Sequence, residues 1–120
     1  MYEFGYGVLE DKREARRYYD LSAKQENGYG YLMLGNLYEL GIGVAPNYKV
    51  AKDYYMLSIQ KNNSYASLAL GNMYYNGYGV VKNYTTALKY YELSASQNNA
   101  EALLKLGDIY YSGNVVEKDI

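Results

Sequence analysis

The sequence predicts an all-α fold, an α-α superhelix (solenoid) of antiparallel helix pairs with 36-residue repeats. Three observations predict it. The stretch Leu70-Gly71-Asn72-Met73-Tyr74-Tyr75-Asn76-Gly77-Tyr78-Gly79-Val80 returns whole or in part over 34–44, over 106–116 and, as a tail only, over 2–8. Within each copy, apolar residues recur at steps of three and four, the period of one helix face. Gly41 and Gly77 close those periodic stretches, where a left-handed residue ends a helix. A constant step of roughly 20–50 residues marks stacked units, each burying its face on the next.

In chain order the pattern gives helix B over 11–26, helix A over 28–40, B over 47–61, A over 64–76, B over 83–97 and A over 100–112. The organisation is a single solenoid segment: a half-repeat 1–27, full repeats 28–63 and 64–99, and a half-repeat 100–120. Asn27, Asn63 and Asn99 precede the A helices as N-caps, with Ser64 a second candidate beside Asn63. Asp11, Asn47, Asn83 and Asp119 do so for the B helices. Pro46, the only proline, falls in a loop just before Asn47, where it breaks no helix. Asn98 suits a left-handed residue after helix B.

Glycine inside a helix costs about 1 kcal/mol against alanine, so Gly35, Gly71 and Gly107 need a reason. The expectation is close approach of helix B, with the tyrosine three residues on (Tyr38, Tyr74, Tyr110) covering the gap. The inner face of helix B is expected to carry Ala15, Ala51 and Ala87, then Tyr18, Tyr54 and Tyr90, then Tyr19, Tyr55 and Tyr91. Tyr2, Tyr48, Tyr84, Tyr29 and Tyr65 also fall at repeat-equivalent sites, and all these rings read as packing residues.

Composition narrows the function. The chain of 120 residues is 49% hydrophobic and 21% charged, as an ordered protein is. A net charge of −1 speaks against a nucleic-acid or membrane-surface binder. No apolar run approaches the roughly 20 residues that span a bilayer. The chain has no cysteine and no histidine, which removes disulfides, thiolate metal sites and the commonest general base. No cofactor and no metal are expected, and nothing fixes a compartment.

The motif Ala66-x-x-x-Leu70-Gly71-x-Met73-Tyr74-x-x-Gly77-x-Gly79-Val80-x-x-Asn83-x-x-x-Ala87-x-x-Tyr90-Tyr91 resembles the Sel-one-like repeat (SLR), a relative of the tetratricopeptide repeat. The resemblance spans the chain. It implies a right-handed solenoid and a role as adaptor or scaffold in signalling, protein quality control or bacterial contact with host cells. The chain departs from the family pattern in having Asn47 and Asn83 where Asp is usual, Glu26, Asn62 and Asn98 where glycine is usual, and Val115 where Gly43 and Gly79 stand.

Several motifs carry chemistry on paper. Ser58-Ile59-Gln60-Lys61 fits the Ser-x-x-Lys of penicillin-recognising enzymes, and some cysteine-rich members of the resembled family are weak β-lactamases. Ser22 and Ser94 have Gln25 and Gln97 in place of the lysine, no companion motif is present, and Ser58 falls on the buried face. Gly5-Tyr6-Gly7, Gly41-Ile42-Gly43 and Gly77-Tyr78-Gly79 follow helices rather than strands and read as turns, not phosphate loops. Asn62-Asn63-Ser64 and Asn83-Tyr84-Thr85 are formal sequons, but Asn63 and Asn83 already cap helices. Lys12, Arg13, Arg16, Arg17 and Lys24 alternate with Asp11, Glu14, Asp20 and Glu26, the pattern of a solvated face.

The expected function is a non-enzymatic scaffold or adaptor that binds a peptide or protein partner on its concave helix A surface. Residues of helix A left over from packing would form that surface: Tyr29, Asn36 and Glu39; Tyr65, Asn72, Tyr75 and Asn76; Glu101, Asp108, Tyr111 and Ser112. Asn36, Asn72 and Asp108 share one site and could ladder along an extended backbone. Leu32, Leu68 and Leu104 stand where a clamp for a C-terminal carboxylate would need basic residues. The alternatives are a structural spacer within a longer array and, remotely, a β-lactamase-like hydrolase. The chain opens in mid-repeat. Its last helix A leaves Leu103, Leu106 and Tyr110 without a covering helix B, so self-association through uncapped ends is also expected.

Overall fold

The computed structural model describes the backbone of residues 6–112 and the side chains of residues 12–112. It contains α1 (Tyr6–Lys24), α2 (Gly28–Leu40), α3 (Tyr48–Gln60), α4 (Ser64–Asn76), α5 (Tyr84–Ser96) and α6 (Ala100–Ser112). Among the described residues there is no strand. Two compact units divide the chain, Met1–Lys61 with α1 to α3 and Asn62–Ile120 with α4 to α6.

The asparagines cap as expected. Asn27 Oδ1 accepts from Tyr29 N and Gly30 N, and Asn63 Oδ1 from Tyr65 N and Ala66 N. Asn99 accepts from Ala102 N, Asn47 from Val50 N and Asn83 from Thr86 N. Gly41 (φ 70°) and Gly77 (φ 76°) end α2 and α4 in the left-handed region, their N–H groups donating to Leu37 and Met73 carbonyls. Glu26, Asn62 and Asn98 take positive φ as well, and asparagine tolerates it better than glutamate does.

One boundary differs. α1 starts at Tyr6, not at 11, so Asp11 lies inside the helix instead of capping it. The copies explain why. Leu9 and Glu10, good helix formers, stand where Ala45-Pro46 and Val81-Lys82 interrupt the later copies, and helix propagates cheaply through such residues. The expectations for Tyr2, Gly5, Val115 and Asp119 lie outside the described residues.

In the first unit α3 runs antiparallel to α2. Its start is held at the end of α2 by Asn47 N donating to Tyr38 O, and its end at the start of α2 by Ser58 Oγ donating to Gly28 O at 2.6 Å. The second unit repeats both ties, from Asn83 N to Tyr74 O and from Ser94 Oγ to Ser64 O at 2.7 Å. Between the ties sits the close approach that the repeat glycines imply. A Cβ on Gly35 would stand 2.5 Å from Tyr55 Cε1, and one on Gly71 2.7 Å from Tyr91 Cδ1. Tyr55 and Tyr91 have no exposed surface.

The covering ring is therefore not the expected one. Tyr55 and Tyr91 of helix B fill the glycine gaps, while Tyr38 and Tyr74 stack on Tyr54 and Tyr90, each pair with ring centroids 5.9 Å apart. The gap is filled from the facing helix, and the helix A tyrosine stacks instead on the ring that precedes the inserted one. Gly30, missed in the sequence, is a further close approach: its Cβ would stand 2.7 Å from Ala23 N in α1.

Equivalent positions differ most at α1 and α6. Tyr18, expected inward, is 59% exposed, and Tyr29 and Tyr65 are exposed rather than packed. Gly107, expected to face a close neighbour, meets nothing within 4 Å. Leu104 is 65% exposed where Leu32 and Leu68 are 7% and 5%. Leu103 and Tyr110 are exposed as expected, and Leu106 is half-buried against the α5–α6 core. At Gly107 and Leu104, no described helix takes the place that α3 holds beside Gly35 and α5 beside Gly71.

Candidate functional site

Helix A places three of the expected residues together in the second unit. Tyr75 on α4 and Asp108 and Ser112 on α6 line an open cleft of about 260 Å³, with Lys105, Ile109 and Tyr91 completing it. Ile109 and Tyr91 are buried, so the cleft has an apolar floor and a polar rim that carries one charge of each sign. Lys105 and Asp108 are three residues apart and share a helix face. That spacing was the signal for Lys105, which sequence reasoning missed. Tyr75 packs at 5.1 Å against Tyr84 and at 6.3 Å against Tyr91, which fixes its ring.

Beneath the helix A surface, the buried tyrosines reach the asparagine ladder. Tyr91 OH donates to Asn72 Oδ1 at 2.6 Å, leaving the amide N–H₂ of Asn72 as its other hydrogen-bonding end. In the first unit the Tyr55 hydroxyl stands 2.5 Å from Glu39 Oε1 and 2.8 Å from the Asn36 carboxamide. The phenol has one proton and two acceptors for it, Glu39 Oε1 and Asn36 Oδ1, while Asn36 Nδ2 donates to Met33 Sδ at 3.9 Å. Burial, then the hydrogen bond and charge of Glu39, push the Tyr55 phenol up. Burial, and after it Tyr75, does the same to Tyr91.

The other expected residues stay outside the cleft. Tyr29, Tyr65, Glu101 and Tyr111 are exposed, Tyr111 at 95%. Asn76 donates back to Asn72 O at 2.9 Å. The clefts of the first unit were not foreseen. One of about 320 Å³ is lined by Asp20, Ala23, Lys24, Tyr31, Leu34 and Tyr54, and contains none of Tyr29, Asn36 or Glu39. Tyr31 falls outside the tyrosine periodicity, and that irregularity was the available signal. Another is lined by Arg13, Arg16, Arg17, Asp20 and Gly43. There Arg17 pairs with Glu14 at 3.0 Å, while Arg16 donates to Tyr38 OH at 3.1 Å and faces Asp20 at 3.9 Å.

Ser58 has no exposed surface and its hydroxyl is spent on Gly28 O, while Lys61 Nζ donates to Glu26 Oε1 at 2.8 Å. The Ser-x-x-Lys residues thus each have a structural partner, and they are not arranged as nucleophile and base.

The family model described as Sel1 repeat matches residues 1–27, 28–63, 64–99 and 100–120. The chain belongs to the Sel1-repeat family. Among solved structures it is similar to a Sel1 repeat protein from Oxalobacter formigenes, with 32% identity and a TM-score of 0.78, over 85% of this chain and 42% of that one. It is also similar to c5321, a protective antigen of uropathogenic Escherichia coli displaying an SLR fold, with 29% identity and a TM-score of 0.77, over 83% of this chain and 21% of that one. Helicobacter pylori cysteine rich protein B aligns at 30% identity and a TM-score of 0.71, over 77% of this chain and 69% of that one. The Sel1-repeat chain thus spans less than half the length of the first two. A search of curated proteins finds no match. The fold class is that of these relatives, an all-α solenoid of roughly 36-residue repeats.

Proposed function

We propose that this Sel1-repeat chain is a binding scaffold that holds an extended peptide segment of a protein partner against its helix A surface, with the α4–α6 cleft as the anchoring point. Sel1-repeat proteins are generally protein-interaction scaffolds. The observation that carries the reading is the convergence of Tyr75, Asp108, Ser112 and Lys105 over the floor made by Ile109 and Tyr91. A rigid tyrosine gives contact area at low entropy cost. Asp108 and Lys105 suit the N–H and C=O groups of a backbone, and a cleft of this size takes one aliphatic side chain. No step of bond-making is assigned to the site.

A random peptide library displayed on phage tests this. Selected peptides should lose at least about tenfold in affinity on Tyr75→Ala, as interface hot spots do, and should be indifferent to Lys89→Ala on the exposed side of α5. Peptides that bind equally to the Tyr75→Ala and Asp108→Ala variants would place the surface elsewhere. A second reading, an array segment whose partners are neighbouring repeats, is favoured by the exposure of Leu103, Leu104 and Tyr110; it predicts that no specific peptide is selected.

A further inference from the structure

We propose that α6 is a preformed socket for α1 of a second copy of this chain, so that copies associate head to tail in one defined register. The inference stands apart from the peptide cleft and rests on contacts the chain already makes twice.

Each complete helix pair uses the same three contacts. A helix B tyrosine enters a helix A glycine gap and meets the next residue with its hydroxyl: Tyr55 at Gly35 and Asn36, Tyr91 at Gly71 and Asn72. A helix B serine three residues on donates to the first carbonyl of helix A: Ser58 to Gly28, Ser94 to Ser64. The tyrosine before the inserted one stacks on helix A: Tyr54 on Tyr38, Tyr90 on Tyr74.

Among the described residues, α6 offers the helix A half of all three with no helix B entering it. Gly107 has no atom within 4 Å of where a Cβ would be, Asp108 follows it, and Tyr110 is exposed. α1 offers the helix B half. Ala15, Tyr19 and Ser22 are each partly exposed, although their equivalents Ala51, Tyr55 and Ser58, and Ala87, Tyr91 and Ser94, have no exposed surface. The repeat register then puts Tyr19 in the Gly107 gap with its hydroxyl donating to Asp108. It puts Tyr18 on Tyr110 and Ser22 Oγ on the Ala100 carbonyl, and it covers Leu104. Asp108 has two oxygens, so one can accept Tyr19 while the other remains at the α4–α6 cleft. Because the two surfaces differ, the contact is heterologous and can propagate beyond a dimer.

Sedimentation equilibrium of the whole chain tests this. The wild-type mass should climb above 13.7 kDa with concentration and show no plateau at two copies. Gly107→Ala adds a Cβ that nothing in the lone chain opposes, but an entering ring would meet it as closely as Tyr55 would meet one on Gly35; this variant should stay monomeric. Ala15→Lys, at a partly exposed site of α1, should also stay monomeric by losing the inserting face. An equimolar mixture of the two should form a heterodimer and stop there, since only one socket and one inserting helix remain intact. A wild-type chain that stays at 13.7 kDa throughout, or association that survives Gly107→Ala, overturns the proposal. A mixture that fails to pair overturns α1 as the occupant.

Discussion

The same substitution at two repeat-equivalent glycines should move stability in opposite directions. Alanine in place of glycine within a helix gains about 1 kcal/mol from propensity alone. At Gly107 nothing opposes that gain, because the new Cβ meets no atom within 4 Å. At Gly71 the Cβ would lie 2.7 Å from both Cδ1 and Cε1 of Tyr91 and 3.3 Å from Ala87 O, where carbon contacts prefer roughly 3.5–4.0 Å. The ring would have to retreat by about 1 Å, but it is fully buried and its hydroxyl is held by Asn72 at 2.6 Å. Overpacking of this kind costs about 1–3 kcal/mol, and straining the hydrogen bond adds about 1 kcal/mol. Set against the propensity gain, Gly71→Ala should destabilise by roughly 1–3 kcal/mol while Gly107→Ala stabilises by about 1 kcal/mol. Urea unfolding followed by far-ultraviolet circular dichroism, at a concentration where the chain is monomeric, reads both, with slopes compared to confirm that the unfolded state is unchanged. Gly71→Ala at or above wild-type stability would refute the Tyr91–Gly71 contact. Equal effects at the two sites would show that helix propensity alone governs them.

Two buried serines should also part ways: Ser58→Ala loses the bond to Gly28 O and should cost about 1 kcal/mol, whereas Ser67 Oγ has no partner and Ser67→Ala should gain about as much, both read as shifts in urea midpoint. Hydrolysis of a chromogenic β-lactam should be the same for wild type and Ser58→Ala, and a Ser58-dependent rate would overturn the non-enzymatic reading. The Tyr55 and Tyr91 phenols, raised by burial above the ordinary 10, keep their protons longer in the folded chain than in the unfolded one. Their contribution to stability is therefore whole below pH 10 and is lost progressively as pH climbs from there towards the raised folded values, so ultraviolet titration should show these two phenols ionising only with unfolding.

Period and caps made most of the fold legible. Five of the six helices fall within a residue or so of their expected bounds, because Asn27, Asn47, Asn63, Asn83, Gly41 and Gly77 each act through local backbone geometry that a sequence carries in full. The sixth, α1, ran long because Leu9 and Glu10 lack the interruption that Pro46 supplies. Harder to read was which of two adjacent tyrosines inserts. Tyr54 and Tyr55 repeat with equal fidelity, and both lie near the inner face of α3, so periodicity cannot separate the ring that enters the Gly35 gap from the one that stacks on Tyr38.

The candidate site was less legible, since a repeat position fixes direction but not surroundings. Leu32, Leu68 and Leu104 have one side chain and one register, yet two are buried and one is open, according to whether a described helix B enters the glycine gap of the same helix A. Residue 39 of the first full copy shows the complementary effect, in which the register is kept and the residue changes. Glu39 gives the Tyr55 hydroxyl a second acceptor beside Asn36 Oδ1; Tyr75, its equivalent, brings no carboxylate, and Asn72 Oδ1 accepts from Tyr91. Both equivalent asparagines thus turn the carboxamide oxygen to a helix B tyrosine, and in the first unit a carboxylate shares that hydroxyl. Exchanging Glu39 for Tyr should leave Asn36 Oδ1 as the one acceptor of the Tyr55 proton, as Asn72 Oδ1 is for Tyr91.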